Sequence, residues 1–246
     1  KQGWNVIATM RSPEKETELN NLENVHLERL DVLDLVSIET AISNGISKFG
    51  KIDALLNNAG YGAYGPLETF PRENIVRQFN TNVIGLMDVT RAILPHFRQN
   101  KSGIVINISS MGGKMTFPLG SLYHGTKFAV EGISESLHYE MAAIGVKVKI
   151  IEPGFIATDF GGRSFDFQAG SVEDYQPIIK ALMKQWQDPN NTVSPPSLVA
   201  EVIYNSVTDG TNQLRYRAGQ DADFLLDNRK KMTDAEFFGM MNSQLE

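Results

Sequence analysis

Short β-rich runs alternate with longer stretches of helical periodicity along most of the chain. Residues 5–10 read as a strand. Ser12 and Pro13 then read as the cap and first residue of a polar helix reaching about Asn21. Residues 25–30 alternate at period two, a second strand. A helix is predicted over 35–49, with Val36, Ile38, Ala41, Ile42, Ile46 and Phe49 on its apolar side and Gly50 as its stop. Residues 52–56 form a third strand. Pro71 opens a long helix to about Arg98, with Ile75, Phe79, Val83, Leu86 and Ile93 along one stripe. Residues 103–108 are almost wholly apolar, as a strand covered on both faces requires. A helix over 122–143, a strand over 146–152, a helix over 196–208 and a strand over 213–216 follow, then a helical, Met-rich tail. Residues 155–195 show no regular period. Repeated strand–helix–strand units predict a three-layer α/β fold, a Rossmann-like, doubly wound and mainly parallel sheet. No repeat or linker divides the chain, so a single domain over 1–246 is expected. In such sheets ligands bind at the carboxyl ends of the strands.

Composition narrows the function. The chain has 246 residues, 41% hydrophobic and 21% charged, ordinary for a globular domain. Lys+Arg 23 against Asp+Glu 29 leaves a net charge of −6, the wrong sign for a nucleic-acid binder. The absence of cysteine excludes disulfides, zinc–thiolate sites and a cysteine nucleophile, and fits a reducing, cytoplasmic setting. No apolar run approaches the roughly 18 residues that span a bilayer. His26, His96, His124 and His138 are scattered, so no metal site is expected.

Ser110, Tyr123 and Lys127 form the strongest chemical constellation. Tyr123 and Lys127 lie four apart on one predicted helix and share a face. An ammonium near a phenol favours phenolate and lowers its pKa. A phenol so tuned gives a proton to a carbonyl oxygen or takes one from an alcohol. Ser110 ends a predicted strand, where its hydroxyl can bond the same oxygen. A Tyr-x-x-x-Lys pair alone is weak evidence, and a solvated Tyr and Lys is its ordinary reading. Of the seven tyrosines, however, only Tyr123 has Lys four residues on.

At this point the sequence resembles the short-chain dehydrogenase/reductases, in their single-domain oxidoreductase branch. The resemblance covers about residues 3–220. It rests on Asn57-Asn58-Ala59-Gly60, Asn82-Val83-Ile84-Gly85, Asn107-Ile108-Ser109-Ser110, Tyr123-His124-Gly125-Thr126-Lys127, and Pro153-Gly154 with Thr158, in that family's order and spacing. The resemblance implies that Tyr123 is the general acid/base, that Lys127 lowers its pKa and holds the nicotinamide ribose, and that Ser110 orients the carbonyl. It implies a proton-relay role for Asn82, although a polar, helix-kinking residue satisfied by backbone is the other reading and both can hold. Asn57, Asn58, Ala59 and Gly60 would close one side of the adenosine pocket. Asp31 would contact the adenine, or else cap the following helix. Pro153, Gly154, Ile156 and Thr158 would position the nicotinamide carboxamide.

The first strand, over 5–10, ends in Thr9-Met10-Arg11, with no carboxylate to bind a ribose 2′-hydroxyl. Arg11 can meet a 2′-phosphate at two points, so NADP(H) is expected. The predicted reaction is hydride transfer between NADP(H) and a carbonyl/alcohol substrate, with reduction as the direction. Residues 155–195 would form a lid whose Phe155, Phe160, Phe165, Phe167 and Tyr175 favour a moderately hydrophobic substrate. The resemblance also implies a homodimer or homotetramer built on the two long helices.

One departure is large. The family's glycine-rich phosphate loop is not in the sequence. Counting back about 20 residues from Met10 places it before Lys1, so roughly 20–30 preceding residues are expected. Gly60–Gly65 opens no immediate helix and is no substitute. A naturally truncated, non-catalytic chain that senses a nucleotide or binds a protein is the alternative. A sugar-nucleotide epimerase or dehydratase fits less well, because the chain ends soon after its last strand. Gly125, inside a helix, suggests a close backbone approach.

Overall fold

A computed structural model describes residues 2–162, 164–188 and 193–243. The elements run β1 (Val6–Met10), β2 (Val25–Arg29), α1 (Leu35–Phe49), β3 (Ala54–Asn57), β4 (Gly62–Tyr64), α2 (Arg72–Phe79), α3 (Gly85–Asn100), β5 (Gly103–Ile108), α4 (Ser121–Ala142), β6 (Val146–Pro153), β7 (Phe165–Phe167), α5 (Gln176–Trp186), α6 (Pro196–Thr208), β8 (Arg215–Ala218), α7 (Gln220–Lys231) and α8 (Asp234–Ser243).

Every strand pairing is parallel. The main sheet has the order β3–β5–β6–β8, while β1–β2 and β4–β7 are separate pairs. Alternate residues of β5 serve opposite faces. Val105 joins Ile93 and Phe97 of α3, Met141 of α4, and Val146 and Val148 of β6. Ile104, Ile106 and Ile108 meet Ile151 of β6, Ala218 and the α6 residues Val199, Val202 and Ile203. The three layers and the mainly parallel sheet follow from this two-sided burial.

A buried polar chain threads the first of these cores. Asn57 Nδ2 donates to Thr90 Oγ1 at 3.0 Å and to Asn107 Oδ1 at 2.8 Å. Asn107 Nδ2 donates to Ser134 Oγ at 2.8 Å. Two strands and two helices are thereby fixed in register, and each side-chain amide finds the partners that burial demands.

Three sequence expectations change. Residues 12–21 form no helix but two single 3-10 turns, Pro13–Lys15 and Leu19–Asn21. Ser12 makes no side-chain cap bond, and neither turn buries a side chain, so nothing propagates a longer helix. The long helix after Pro71 is interrupted by one π-helical turn, Asn80–Ile84. Within 155–195 lie an ordered strand, β7, and a helix, α5, with Ile156 bridged to Ser194. Arg163 and residues 189–192 of that stretch lie outside the described residues.

The tail packs as core. Met241 and Phe237 are buried with Met111, Met115, Ala222, Leu225 and Leu226, and Met232 and Met240 lie against them. Among the described residues no helix is long and apolar enough to cross a membrane.

Candidate active site

Because the sheet is parallel, the carboxyl ends of its strands share one edge. Ser110 follows β5 there. It has extended backbone (φ −173°) and caps a 3-10 turn, Met111–Gly113, its Oγ accepting from Gly112 N at 3.0 Å. Ser110 Oγ also lies 3.5 Å from the Pro153 carbonyl oxygen at the end of β6. Tyr123 and Lys127 stand on the first turns of α4, both 8% exposed. The Tyr123 hydroxyl is hydrogen-bonded to Ser110. Lys127 Nζ donates to the Ile108 carbonyl at 2.8 Å and lies 5.8 Å from the Tyr123 ring centre. These three residues are therefore brought together.

Their electrostatics differ from the sequence expectation. Burial raises the pKa of the Tyr123 phenol, and the hydrogen bond from Ser110 is what opposes that rise. Burial lowers Lys127 to about 8, with the Glu131 carboxylate, one turn further along α4, pulling the other way. At pH 7 Lys127 thus still carries most of its charge.

Asn82 sits at the centre of the π-helical turn, 2% exposed. Its Oδ1 accepts from Tyr61 N at 3.1 Å, and its Nδ2 donates to the Tyr61 carbonyl at 2.9 Å and to Thr126 Oγ1 at 3.1 Å. Thr126 Oγ1 in turn donates to the Tyr123 carbonyl at 2.7 Å. Asn82 is thus bonded to backbone and placed beside α4 at once. π-helical turns are frequent at functional sites for this reason: they spend one residue to aim a side chain inward.

The remaining predicted residues follow β3 and β6 of this sheet, or β1 and β2 of the separate pair. Asn58 and Ala59 are exposed and Gly60 half-buried, just past β3. A Cβ at Gly60 would stand 3.2 Å from Asn82 Oδ1, so the turn passes close to that amide. Asp31 Oδ1 accepts from Leu33 N at 3.0 Å, while the cap of α1 is Asp34, whose Oδ1 accepts from Ser37 N at 3.1 Å. The capping alternative for Asp31 thus falls to Asp34. Arg11 is exposed at the end of β1 and makes no hydrogen bond or ion pair among the described residues. Gly154 N donates to Ala218 O at 2.9 Å. Any side chain at Gly154 would strike the Asp221 carboxylate, which accepts from Phe155 N at 2.5 Å. Thr158 Oγ1 accepts from Phe160 N at 3.2 Å and so caps a 3-10 turn. Ile156 is held by its bridge to Ser194.

Expected lid aromatics and unexpected rings together surround Tyr123. Tyr64, on β4, lies 5.5 Å from the Tyr123 ring and is itself 6% exposed. Phe165 and Trp186 pack on Tyr64 at 5.4 and 5.2 Å, and Phe160 meets Tyr123 edge-on at 5.6 Å. Phe155 packs on Phe117, and Phe167 stacks on Phe165. Tyr175 instead donates to Glu68 Oε2 at 3.0 Å. The ring of His124 is also buried here and sits 5.5 Å from the Tyr123 ring. Of these rings, the sequence offered Phe155, Phe160, Phe165 and Phe167 as lid residues; Tyr64 was hidden because β4 has only three residues and shows no period. A separate cavity of about 790 Å³, lined among others by Lys114, Glu152, Arg215 and Arg217, contains none of the predicted site residues.

Donors and exposed backbone stand at the ends of β1, β3 and β6. They include no glycine-rich phosphate cradle among the described residues. Comparison with known proteins agrees with this arrangement. A profile of the short chain dehydrogenase family matches residues 1–169. An uncharacterized oxidoreductase of Schizosaccharomyces pombe is 46% identical over 236 residues, covering 96% of this chain and 99% of its own length. A short-chain dehydrogenase from Streptomyces avermitilis superposes with a TM-score of 0.82 at 30% identity, over 96% of this chain and 86% of that one. A serine dehydrogenase in its closed form, complexed with NADP+, gives a TM-score of 0.73 at 29% identity, over 87% of this chain and 85% of that one. The chain belongs to the short-chain dehydrogenase family of oxidoreductases.

Proposed function

We propose that this chain interconverts a carbonyl and an alcohol with NADP(H), chiefly as a ketone or aldehyde reductase. The observation that carries the reading is the convergence of Ser110, Tyr123 and Lys127 at one edge of the sheet, with the Tyr123 hydroxyl on Ser110 and the Lys127 ammonium beside the ring. A nicotinamide dinucleotide bound along this edge supplies or accepts the hydride. Tyr123 gives its phenolic proton to the carbonyl oxygen as that oxygen gains charge. Ser110 orients the carbonyl. Lys127 presents a fixed positive charge that stabilises the phenolate once the proton has left, and it holds the nicotinamide ribose. Asn82 holds the turn at Tyr61 against Thr126 and so keeps the start of α4 in place for the return of the proton. Asn58, Ala59, Gly60 and Asp31 flank the adenosine, and Pro153, Gly154, Ile156 and Thr158 flank the carboxamide.

The choice of NADP(H) over NAD(H) rests on Arg11, an exposed guanidinium after β1 with no partner among the described residues, and agrees with the NADP+ of the related serine dehydrogenase. The rings of Tyr64, Phe160, Phe165 and Trp186 around Tyr123 favour a moderately hydrophobic substrate under the 155–195 lid. The same reading includes a homodimer or homotetramer through the long helices, and a cytoplasmic setting for this cysteine-free chain. The test is NADPH consumption against a panel of ketones and aldehydes by the full-length protein and by Tyr123→Phe. Loss of general acid catalysis lowers kcat by about 10²–10⁴-fold with KM for NADPH retained. A Tyr123→Phe variant with nearly unchanged kcat overturns the reading.

A further inference from the structure

His124 stands next to Tyr123 on α4 and has no part in the chemistry proposed above, yet both of its ring nitrogens are engaged. Nδ1 lies 2.8 Å from the Gly112 carbonyl oxygen, which can only accept, so Nδ1 carries the proton. Nε2 accepts from Phe117 N at 2.9 Å and is therefore unprotonated, with the Tyr64 hydroxyl at 3.4 Å as a second, longer donor. One neutral tautomer satisfies both strong bonds. Burial pushes His124 down to about 4, so the ring stays in that state across the neutral range.

The loop it grips is the one that sets Ser110. Gly112 N donates to Ser110 Oγ while Gly112 O receives the His124 proton, so one peptide-flanked residue joins the imidazole to the serine hydroxyl. The fit is close. A Cβ at Gly112 would stand 2.8 Å from His124 Nδ1, and one at Gly120 would stand 2.5 Å from His124 Cδ2. Leu119, just before Gly120, adopts the left-handed conformation (φ 62°), uncommon for a branched side chain, and its carbonyl accepts from Gly65 N at 2.7 Å. The imidazole also meets the rings of Tyr64, Phe117 and Tyr123 at 5.5–5.9 Å.

We infer that His124 is a positioning residue: as an uncharged, two-ended clamp it holds the 111–120 loop so that Ser110 faces Tyr123, and it holds Tyr64 as the wall of the substrate site. The chain of contacts closes on itself, from the Tyr123 hydroxyl to Ser110, through Gly112 to His124, and back along the helix to Tyr123. The inference rests on the proposed reductase reading for its kinetic consequence but not for its geometry, and the experiment separates the two.

Three variants are compared with the parent: His124→Asn, whose amide can occupy the Nδ1 position and donate to Gly112; His124→Gln, whose amide reaches the Nε2 position only; and His124→Leu, which fills the space and bonds neither end. Amide hydrogen exchange at Gly112 and Phe117 is read without any substrate. Gly112 exchange is expected to quicken at least tenfold in His124→Leu and His124→Gln and to stay near the parent in His124→Asn. With a substrate from the carbonyl panel, kcat is expected to fall by about 10²-fold in the first two, the scale of a misplacement near 1 Å, with KM for NADPH unchanged and kcat largely restored in His124→Asn. Parent-like Gly112 exchange in both His124→Leu and His124→Gln overturns the inference, whatever the activity. So does equal loss in all three variants, which would make His124 core packing only. If no carbonyl is turned over by the parent, the reductase reading fails while the exchange data still decide the clamp.

Discussion

Within the buried polar groups around α4, Glu152 makes the sharpest pH prediction. Its carboxyl is 3% exposed, and burial together with the neighbouring Glu131 carboxylate raises its pKa from the ordinary 4.5 to about 7. The groups facing it pull the other way: Arg215, with Nε 3.7 Å from Glu152 Oε1, and more distantly Lys114 and Arg217. Arg215 is shared, because its Nε also donates to Glu131 Oε2 at 2.9 Å and its second nitrogen to Glu135. A raised acid holds its proton in the folded chain and has lost it in the unfolded chain between those two values. The folded state therefore binds more protons there, and stability falls as pH rises from about 4.5 to about 7. Glu152→Gln keeps the shape and cannot ionise. Its stability is expected to match the parent near pH 4.5 and to exceed it above pH 7 by up to about 3 kcal/mol. Urea unfolding midpoints at pH 5 and pH 8 check this, and a gain of equal size at both pH values would contradict it.

Among whole elements, α4 and the 3-10 turn Met111–Gly113 that packs on it carry glycines of two contrasting kinds. Gly132 has nothing within 4 Å of a built Cβ, and Gly125 meets only Phe79 at an ordinary 3.6 Å. The close backbone approach that Gly125 suggests in the sequence is absent, so both glycines only loosen the helix. Gly125→Ala and Gly132→Ala are each expected to stabilise by about 0.5–1 kcal/mol. Gly113 is opposite in character, since a Cβ there would stand 2.6 Å from Ser109 Oγ and 3.0 Å from the Lys127 carbonyl. Gly113→Ala is expected to destabilise by about 1–3 kcal/mol, as overpacking does. Thermal melts of the three variants measure the series, and a stabilised Gly113→Ala or a destabilised Gly132→Ala would refute it. The same scale explains what was legible in the sequence. β5, α1 and α6 fall where their patterns place them, because both-face burial, the Gly50 stop (φ 81°) and Pro196 are local signals, while the cap of α1 is Asp34 rather than the Asp31 that the sequence offered. β4 and β7 could not be read, because three residues carry no period and their pairing joins segments about a hundred residues apart. The helix expected over 12–21 failed for the converse reason: its caps were legible, but nothing in the fold packs on it. Ser110, Tyr123 and Lys127 were legible from spacing along β5 and α4. The grip of His124 on Gly112 was not, since it depends on a loop that crosses the helix.

Over the whole molecule, a group of exposed apolar side chains lies on α2, the π-helical turn and α4. Val76 and Phe79 of α2, Ile84 in the π-helical turn, and Phe128 and Tyr139 of α4 are exposed, Tyr139 at 73%. α2 packs against α4, and Phe79 lies against Gly125, so the exposed side chains of α2 stand beside the first turns of α4. Exposed apolar surface gathered in this way is the kind that interaction faces use. A second copy of the chain is the occupant that the proposed dimer supplies. On that reading the 27.3 kDa chain sediments above its monomer mass at micromolar concentration. Phe128→Glu places a charge among the exposed rings and is expected to weaken association by at least about 100-fold, the scale of losing one central anchor. Phe128 follows Lys127 directly but points outward, whereas Tyr123 and Lys127 are buried on the inner side of the same helix. The dissociated variant is therefore expected to retain its far-ultraviolet spectrum and the Gly112 exchange rate of the parent. Sedimentation velocity of parent and variant decides the matter: a parent that already sediments as a monomer, or a Phe128→Glu variant that stays fully associated, would remove these helices from the interface.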